Sequence, residues 1–185
     1  MRSMETASSE KGVSANQSSI GDVSAQAPSH YMDVKKILLA IDKSGYKTKA
    51  MNFAITLAKG LVAEVTAVHV IDKFTLRATV DVLGYYRGGK MEEYQEAYER
   101  RLKKQADDLL GEVRMLGEKE GVKVKTEVLL NAHSIPNEII HYAENNEMDV
   151  IVIGTKGMTG IGKFLMGNVA NTVAVHASCP VLLVR

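Results

Sequence analysis

Five short apolar runs punctuate residues 34–185, and between most of them apolar residues recur at helical spacing. The first run, Ile37-Leu38-Leu39-Ala40-Ile41, has no polar interruption. A strand with one wet face would alternate, so an unbroken run reads as a strand buried on both faces. Asp42-Lys43-Ser44-Gly45 ends it, with Ser44 placed as an N-cap. Ala50, Ala54, Leu57, Ala58 and Leu61 then mark one face of a helix, with Lys47, Lys49 and Lys59 between them. Val65 to Ile71 is a second β-branched run. Strand, helix, strand predicts a parallel pair with a crossover.

The alternation continues. Met91 to Glu120 reads as one long helix with Tyr94, Tyr98, Leu102, Ala106, Leu109, Val113 and Leu116 on its apolar face. Val122 to Leu130 is a third strand. Ser134-Ile135-Pro136 opens a further helix, with Ser134 as its cap and Pro136 in the first turn, where a missing N–H costs nothing. That helix ends near Asn145-Asn146, and Val150 to Ile153 is a fourth strand. Val169 to His176 is helical, and Pro180 to Val184 is the fifth strand. The expectation is a Rossmann-like α/β fold with a doubly wound, parallel, five-stranded sheet. Ligands of such sheets sit beyond the carboxyl ends of the strands, where the strand order reverses. Two loops therefore matter: Ala40 to Ser44, and Gly154 to Asn168.

Composition narrows the function classes. The 185 residues carry a formal net charge of +1, with 45% hydrophobic and 24% charged residues. A near-neutral balance argues against a nucleic-acid binder or an anionic-membrane binder, which depend on many unopposed Lys and Arg. A small anion needs only a local site. Cys179 is the single cysteine, which excludes an intramolecular disulfide framework and a Cys-rich zinc site. No apolar run reaches the length of a membrane span, and the N-terminus lacks a signal-peptide core. A cytoplasmic protein is expected. Ser8 to Ser29 is rich in Ser, Ala, Gly and Gln, too poor in apolar residues to offset ordering entropy. Residues 1–30 are therefore expected to be a disordered tail, and 31–185 the domain. At about 150 ordered residues, such a domain buries roughly two-thirds of its unfolded surface.

The chemistry concentrates in one loop, which contains Gly154, Gly157, Gly160, Gly162, Lys163, Gly167 and Asn168. It follows a strand and precedes a helix. Glycines let the backbone approach a phosphate, and a helix N-terminus adds free N–H groups and a positive dipole end. A dinucleotide fingerprint built on Gly160 and Gly162 would need glycine at 165, where Leu165 stands. Gly157, Gly162 and Lys163 match Walker A spacing, but Phe164 occupies the Ser/Thr position whose hydroxyl ligates Mg²⁺.

The spacing Gly154-x2-Gly157-x9-Gly167, followed by a small polar residue, resembles the nucleotide-binding motif of the universal stress proteins. The resemblance extends to Lys35–Asp42, Val68–Ile71, Asn131–Ile135, Asp149–Gly154 and Ser178–Val184, in family order. It implies an adenine nucleotide alpha hydrolase-like fold and binding of ATP or AMP, with or without Mg²⁺. Asp42 would bond the ribose or adenine side. Val70 would offer backbone groups to the adenine edge, with Ala40 lining the pocket. Gly154, Gly157, Gly167 and Asn168 would hold the phosphates, with Lys156 and Lys163 as further charge. Asn168 departs from the family's usual Ser or Thr. The resemblance also implies a homodimer through the C-terminal strand, and a stress-response or regulatory role exerted on a protein partner. The alternatives are a dimer of the same family that binds no nucleotide and acts by protein contact, and a slow ATPase.

Other chemistry-bearing residues read as structural. His69 falls inside a strand as a packed residue. His133, His141 and His176 have no partner at metal-ligand spacing. Cys179, before Pro180, reads as a small packed side chain. No acid–base or nucleophile–base pair can be assembled, so no fast enzyme is expected, and at most slow ATP hydrolysis. Residues 72–90, with Tyr85 and Tyr86, show no period; a lid or partner surface and a plain solvent-exposed insertion are the two readings.

Overall fold

A computed structural model describes residues 33–43, 47–72, 91–155 and 167–185. The expected tail, Ser44, most of the segment 72–90 and loop residues 156–166 lie outside the described residues. The elements are β1 (Lys36–Ala40), α1 (Lys47–Leu61), β2 (Glu64–Asp72), α2 (Met91–Glu120), β3 (Val124–Ala132), α3 (Ile135–Asn145), β4 (Val150–Gly154), α4 (Asn168–His176) and β5 (Val181–Val184). All five strands are parallel, in the order β3-β2-β1-β4-β5. The expected fold class and element order are both found, with boundaries shifted by a residue or two.

β1 is central, and its uninterrupted run is explained by two cores. Ile37, Leu39 and Ile41 face α1 and α2, packing with Met51, Ile55, Leu110 and Val113. Leu38 and Ala40 face α3 and α4, packing with Ile139, Ile140, Ala170 and Val173. Ile37, Leu38 and Leu39 have no exposed surface. Truncating one such side chain to Ala costs about 2–5 kcal/mol.

α2 is not buried along its whole length. Its 30 residues are found as expected. Its buried side chains, however, begin only at Ala106, followed by Leu109, Leu110 and Val113; Tyr94, Tyr98 and Leu102 are only half-buried. At 1.5 Å per residue the helix is about 45 Å long. A nine-residue strand spans about 30 Å. The helix starts at the carboxyl end of the sheet, so its first half extends past the strands it packs against. At its other end Gly117 allows close approach: a Cβ there would collide with Val124 Cγ2 and fall 3.0 Å from the Val122 carbonyl oxygen.

Three helices end in the same way. Ala63 N–H donates to Ala58 O (2.9 Å), Val122 N–H to Gly117 O (2.8 Å) and Met148 N–H to Ala143 O (2.9 Å). This is the Schellman closure, with one left-handed residue before the donor. Those residues are Val62 (φ 54°), Gly121 (φ 70°) and Glu147 (φ 51°). Ser134 stands at the N-cap of α3, as expected, but its side chain makes no capping bond, which corrects that reading; Pro136 is in the first turn.

Candidate functional site

The chain runs from β1 outward to β2 and β3, then returns to the other side of β1 as β4. The reversal leaves a crevice between the carboxyl ends of β1 and β4. Ala40 pairs with Ile153, so the two strands end within one residue of each other. The chain leaves at Ile41-Asp42 on one side of the crevice and at Gly154-Thr155 on the other. Ala40 is buried, while Asp42, Val70 and Gly154 are half-buried.

β2 supplies the third wall. Ile41 N–H donates to Val68 O at 3.0 Å. Residues two apart in a strand turn their backbone groups to the same neighbour, so Val70 directs its N–H and C=O toward β1. Here β1 has already ended at Ala40. The backbone of Val70 therefore faces the crevice.

Thr155 is the residue the sequence reading missed. It is buried, with 4% exposure. Its N–H donates to Val184 O (2.8 Å), as does its hydroxyl (3.2 Å). Its carbonyl accepts the Gly167 N–H at 2.8 Å. One residue thus ties the exit of β4 to the end of β5 and to the return of the glycine loop. The only sequence signal was a small hydroxyl residue directly after Gly154.

Gly167, extended at φ −61° and ψ 145°, is the N-cap of α4. No side chain caps this helix, and its first turn holds no acidic residue. The first intrahelical bond is Asn171 N–H to Gly167 O, 3.0 Å. The N–H groups of Asn168, Val169 and Ala170 precede it, as at every helix start. They and the helix dipole favour an anion. Asn168 is exposed at this position. The structure thus brings Ala40, Asp42, Val70, Gly154, Gly167 and Asn168 to one end of the sheet. Gly157, Lys156 and Lys163 lie outside the described residues.

A depression of about 490 Å³ lies at the opposite end of the sheet, lined in part by Lys36, Lys59, Val62, Glu64 and Lys123. Each of these lysines has a carboxylate within 4.0 Å: Glu147, Glu120 and Glu64 respectively. Glu64 is held below the usual carboxylate range by hydrogen bonds from Lys123 and Lys125. Paired charges and tight turns describe a closed structural end. No group of three His, Cys, Asp or Glu placed to hold a metal occurs among the described residues. No helix among them is long and apolar enough to cross a membrane.

A doubly wound sheet of five parallel strands with helices on both faces places the chain among the Rossmann-like α/β domains. The model of the universal stress protein family matches residues 33–185, so this chain belongs to that family. It is 37% identical over 152 residues to the universal stress protein MJ0531 of Methanocaldococcus jannaschii, covering 82% of each chain. Among solved structures it is similar to the hypothetical protein MJ0577 (TM-score 0.65, 26% identity, 81% of this chain and 94% of that one). It also shares its fold with a universal stress protein of Archaeoglobus fulgidus in complex with dAMP (TM-score 0.53, 24% identity, 83% and 100% of the chains). A universal stress protein in complex with cAMP has the same fold at 16% identity, with a TM-score of 0.54 and 82% and 96% of the chains covered.

Proposed function

We propose that this chain binds an adenine nucleotide, ATP or AMP, in the crevice between β1 and β4. We further propose that it acts as a regulatory module through a nucleotide-dependent homodimer. The observation that carries the reading is the closure of Gly167 N–H onto Thr155 O. That bond returns the glycine loop to its starting strand and delivers the uncapped start of α4 beside it. Phosphates would take the N–H groups of α4 with Gly154, Gly157 and Asn168. Asp42 would hold the ribose side, and Val70 the adenine edge over Ala40. Two fold neighbours hold dAMP and cAMP, which supports an adenine nucleotide as ligand. In this reading residues 31–185 are the working domain of a cytoplasmic protein, residues 1–30 are a tail, and Mg²⁺ enters with ATP.

The homodimer rests on β5, an edge strand of the sheet. Exposed apolar residues flank it: Leu183 on the strand, Val175 on α4, and Phe53 and Leu61 on α1. Leu57 of α1 packs, partly buried, against the same core as Leu182 and Val184 of β5. An open edge beside apolar surface is what a second copy would cover. The same observation favours the second reading, a dimer of this family that works without nucleotide.

The test is to denature the purified protein, identify any released nucleotide, and titrate the emptied protein with ATP and AMP, with and without Mg²⁺. Binding in the wild type, weakened about tenfold or more by Gly167→Val, a loss of roughly 1.4 kcal/mol, supports the site. Phosphate release in the same samples measures any hydrolysis. No released nucleotide and no binding of either probe leaves the nucleotide-free dimer.

A further inference from the structure

We infer that His69 is a positioning residue for the candidate site, clamping the turn that carries Asp42 and ending the β1–β2 ladder where Val70 must face the crevice. The inference rests on the nucleotide reading above and adds a residue to it.

The paired register of β1 and β2 stops at Ala40 and Val68. One further backbone bond follows, Ile41 N–H to Val68 O at 3.0 Å. In a parallel ladder the next acceptor would be the Ile41 carbonyl, and the next donor the Val70 N–H. Instead the Ile41 carbonyl meets His69 Nδ1 at 2.8 Å. A carbonyl only accepts, so Nδ1 carries the proton. The imidazole is part-buried on the face of β2 that also bears Val65 and Ala67.

Two consequences follow from this one bond. Ile41 is held to β2 through both its N–H and its C=O, and Asp42 is the next residue. The direction in which β1 gives way to the turn is thereby set, and Asp42 with it. The Ile41 carbonyl is also engaged by a side chain, which leaves the Val70 backbone oriented to the crevice as a site group. A leucine at 69 would fill the space and lose both effects. An asparagine would keep a donor near the Nδ1 position.

The experiment has two readouts on wild type, His69→Leu and His69→Asn. The first is amide hydrogen exchange at Ile41 in the nucleotide-free protein. The second is affinity for ATP and for AMP by titration. His69→Leu should speed Ile41 exchange about tenfold and weaken nucleotide binding by a similar factor, the size expected for one lost intramolecular hydrogen bond. His69→Asn should recover most of both. Unchanged exchange in His69→Leu overturns the clamp. Equal losses in the two variants also overturn it, since packing alone would then explain His69. If the wild type binds neither ATP nor AMP, the proposed function fails, and the exchange readout by itself decides whether His69 positions the turn.

Discussion

The two ends of the sheet are built from different materials. At the amino end three of the four helices hand over to strands through two, three and four residues: Val62-Ala63, Gly121 to Lys123, and Asn146 to Asp149. Each of these three has a Schellman bond, and Asp149 closes the centre. Its Oδ2 accepts the N–H groups of Lys35 (2.8 Å) and Lys36 (2.7 Å), and its own N–H donates to Lys36 O (3.0 Å). At the carboxyl end two connections are long, 73–90 and 155–167. There β1 stops short of β2, which leaves the backbone of Val70 directed outward, as are the first N–H groups of α4. Every backbone polar group must be satisfied somewhere. The amino end is closed by the bonds just named, and the carboxyl end holds the groups proposed to meet a ligand. Stability and binding should therefore separate by end.

The strongest challenge to that separation is Asp149→Ala. It leaves two backbone donors at the start of the central strand without their charged acceptor. Charge-assisted bonds are worth about twice neutral ones, so the loss should be about 2–4 kcal/mol by urea denaturation. Nucleotide affinity, measured well below the unfolding midpoint, should stay within about twofold. Gly167→Val should do the reverse. If Asp149→Ala weakens binding as much as Gly167→Val does, the two ends are coupled through β1 and β4 and the comparison fails.

A smaller effect, of opposite sign, is expected at Val62. It occupies the left-handed position after α1 at φ 54° and is 85% exposed. A β-branched side chain is strained there, and Gly121 shows the usual solution at the equivalent position after α2. Val62→Gly should raise stability by about 0.5–1 kcal/mol, after allowing for glycine's greater freedom when unfolded. Binding should not change. A loss of stability would mean that Val62 contributes through contacts that outweigh its backbone strain.

Val62 also shows why sequence reading reached one end of the molecule more easily than the other. Runs such as Ile37–Ile41 and Val150–Ile153 announce themselves because both faces are buried. The glycine spacing announced the carboxyl-end loop. A left-handed turn at Val or Glu147 carries no such mark, since only glycine signals it in sequence. Tyr94, Tyr98 and Leu102 continue the helical period of α2, but period alone does not tell how far the sheet extends beneath a helix. Thr155 and His69 act through backbone partners 29 and 28 residues away, Val184 and Ile41. Their residue types are ordinary; only the topology gives them a task.

The smallest effect tests whether the face under α3 is as closed as the amino end, and it is read through pH. Tyr142, in α3, is pushed up to about 12, first by burial and then by its hydrogen bond to the Glu127 carboxylate of β3. The unfolded chain should ionise this phenol near 10. Below that pH both states are neutral and the contribution to stability is fully present. Between pH 10 and about 12 the unfolded state loses the proton first, so stability falls as pH rises. Tyr142→Phe has no proton to lose and no hydroxyl to donate to Glu127. Near neutral pH the variant should be slightly less stable than the wild type, because Glu127 loses a donor. Above pH 10 the gap should narrow as the wild type alone suffers the ionisation of this group. Parallel stability curves from pH 9 to 12 would show that solvent reaches the phenol and that this face of the sheet is open.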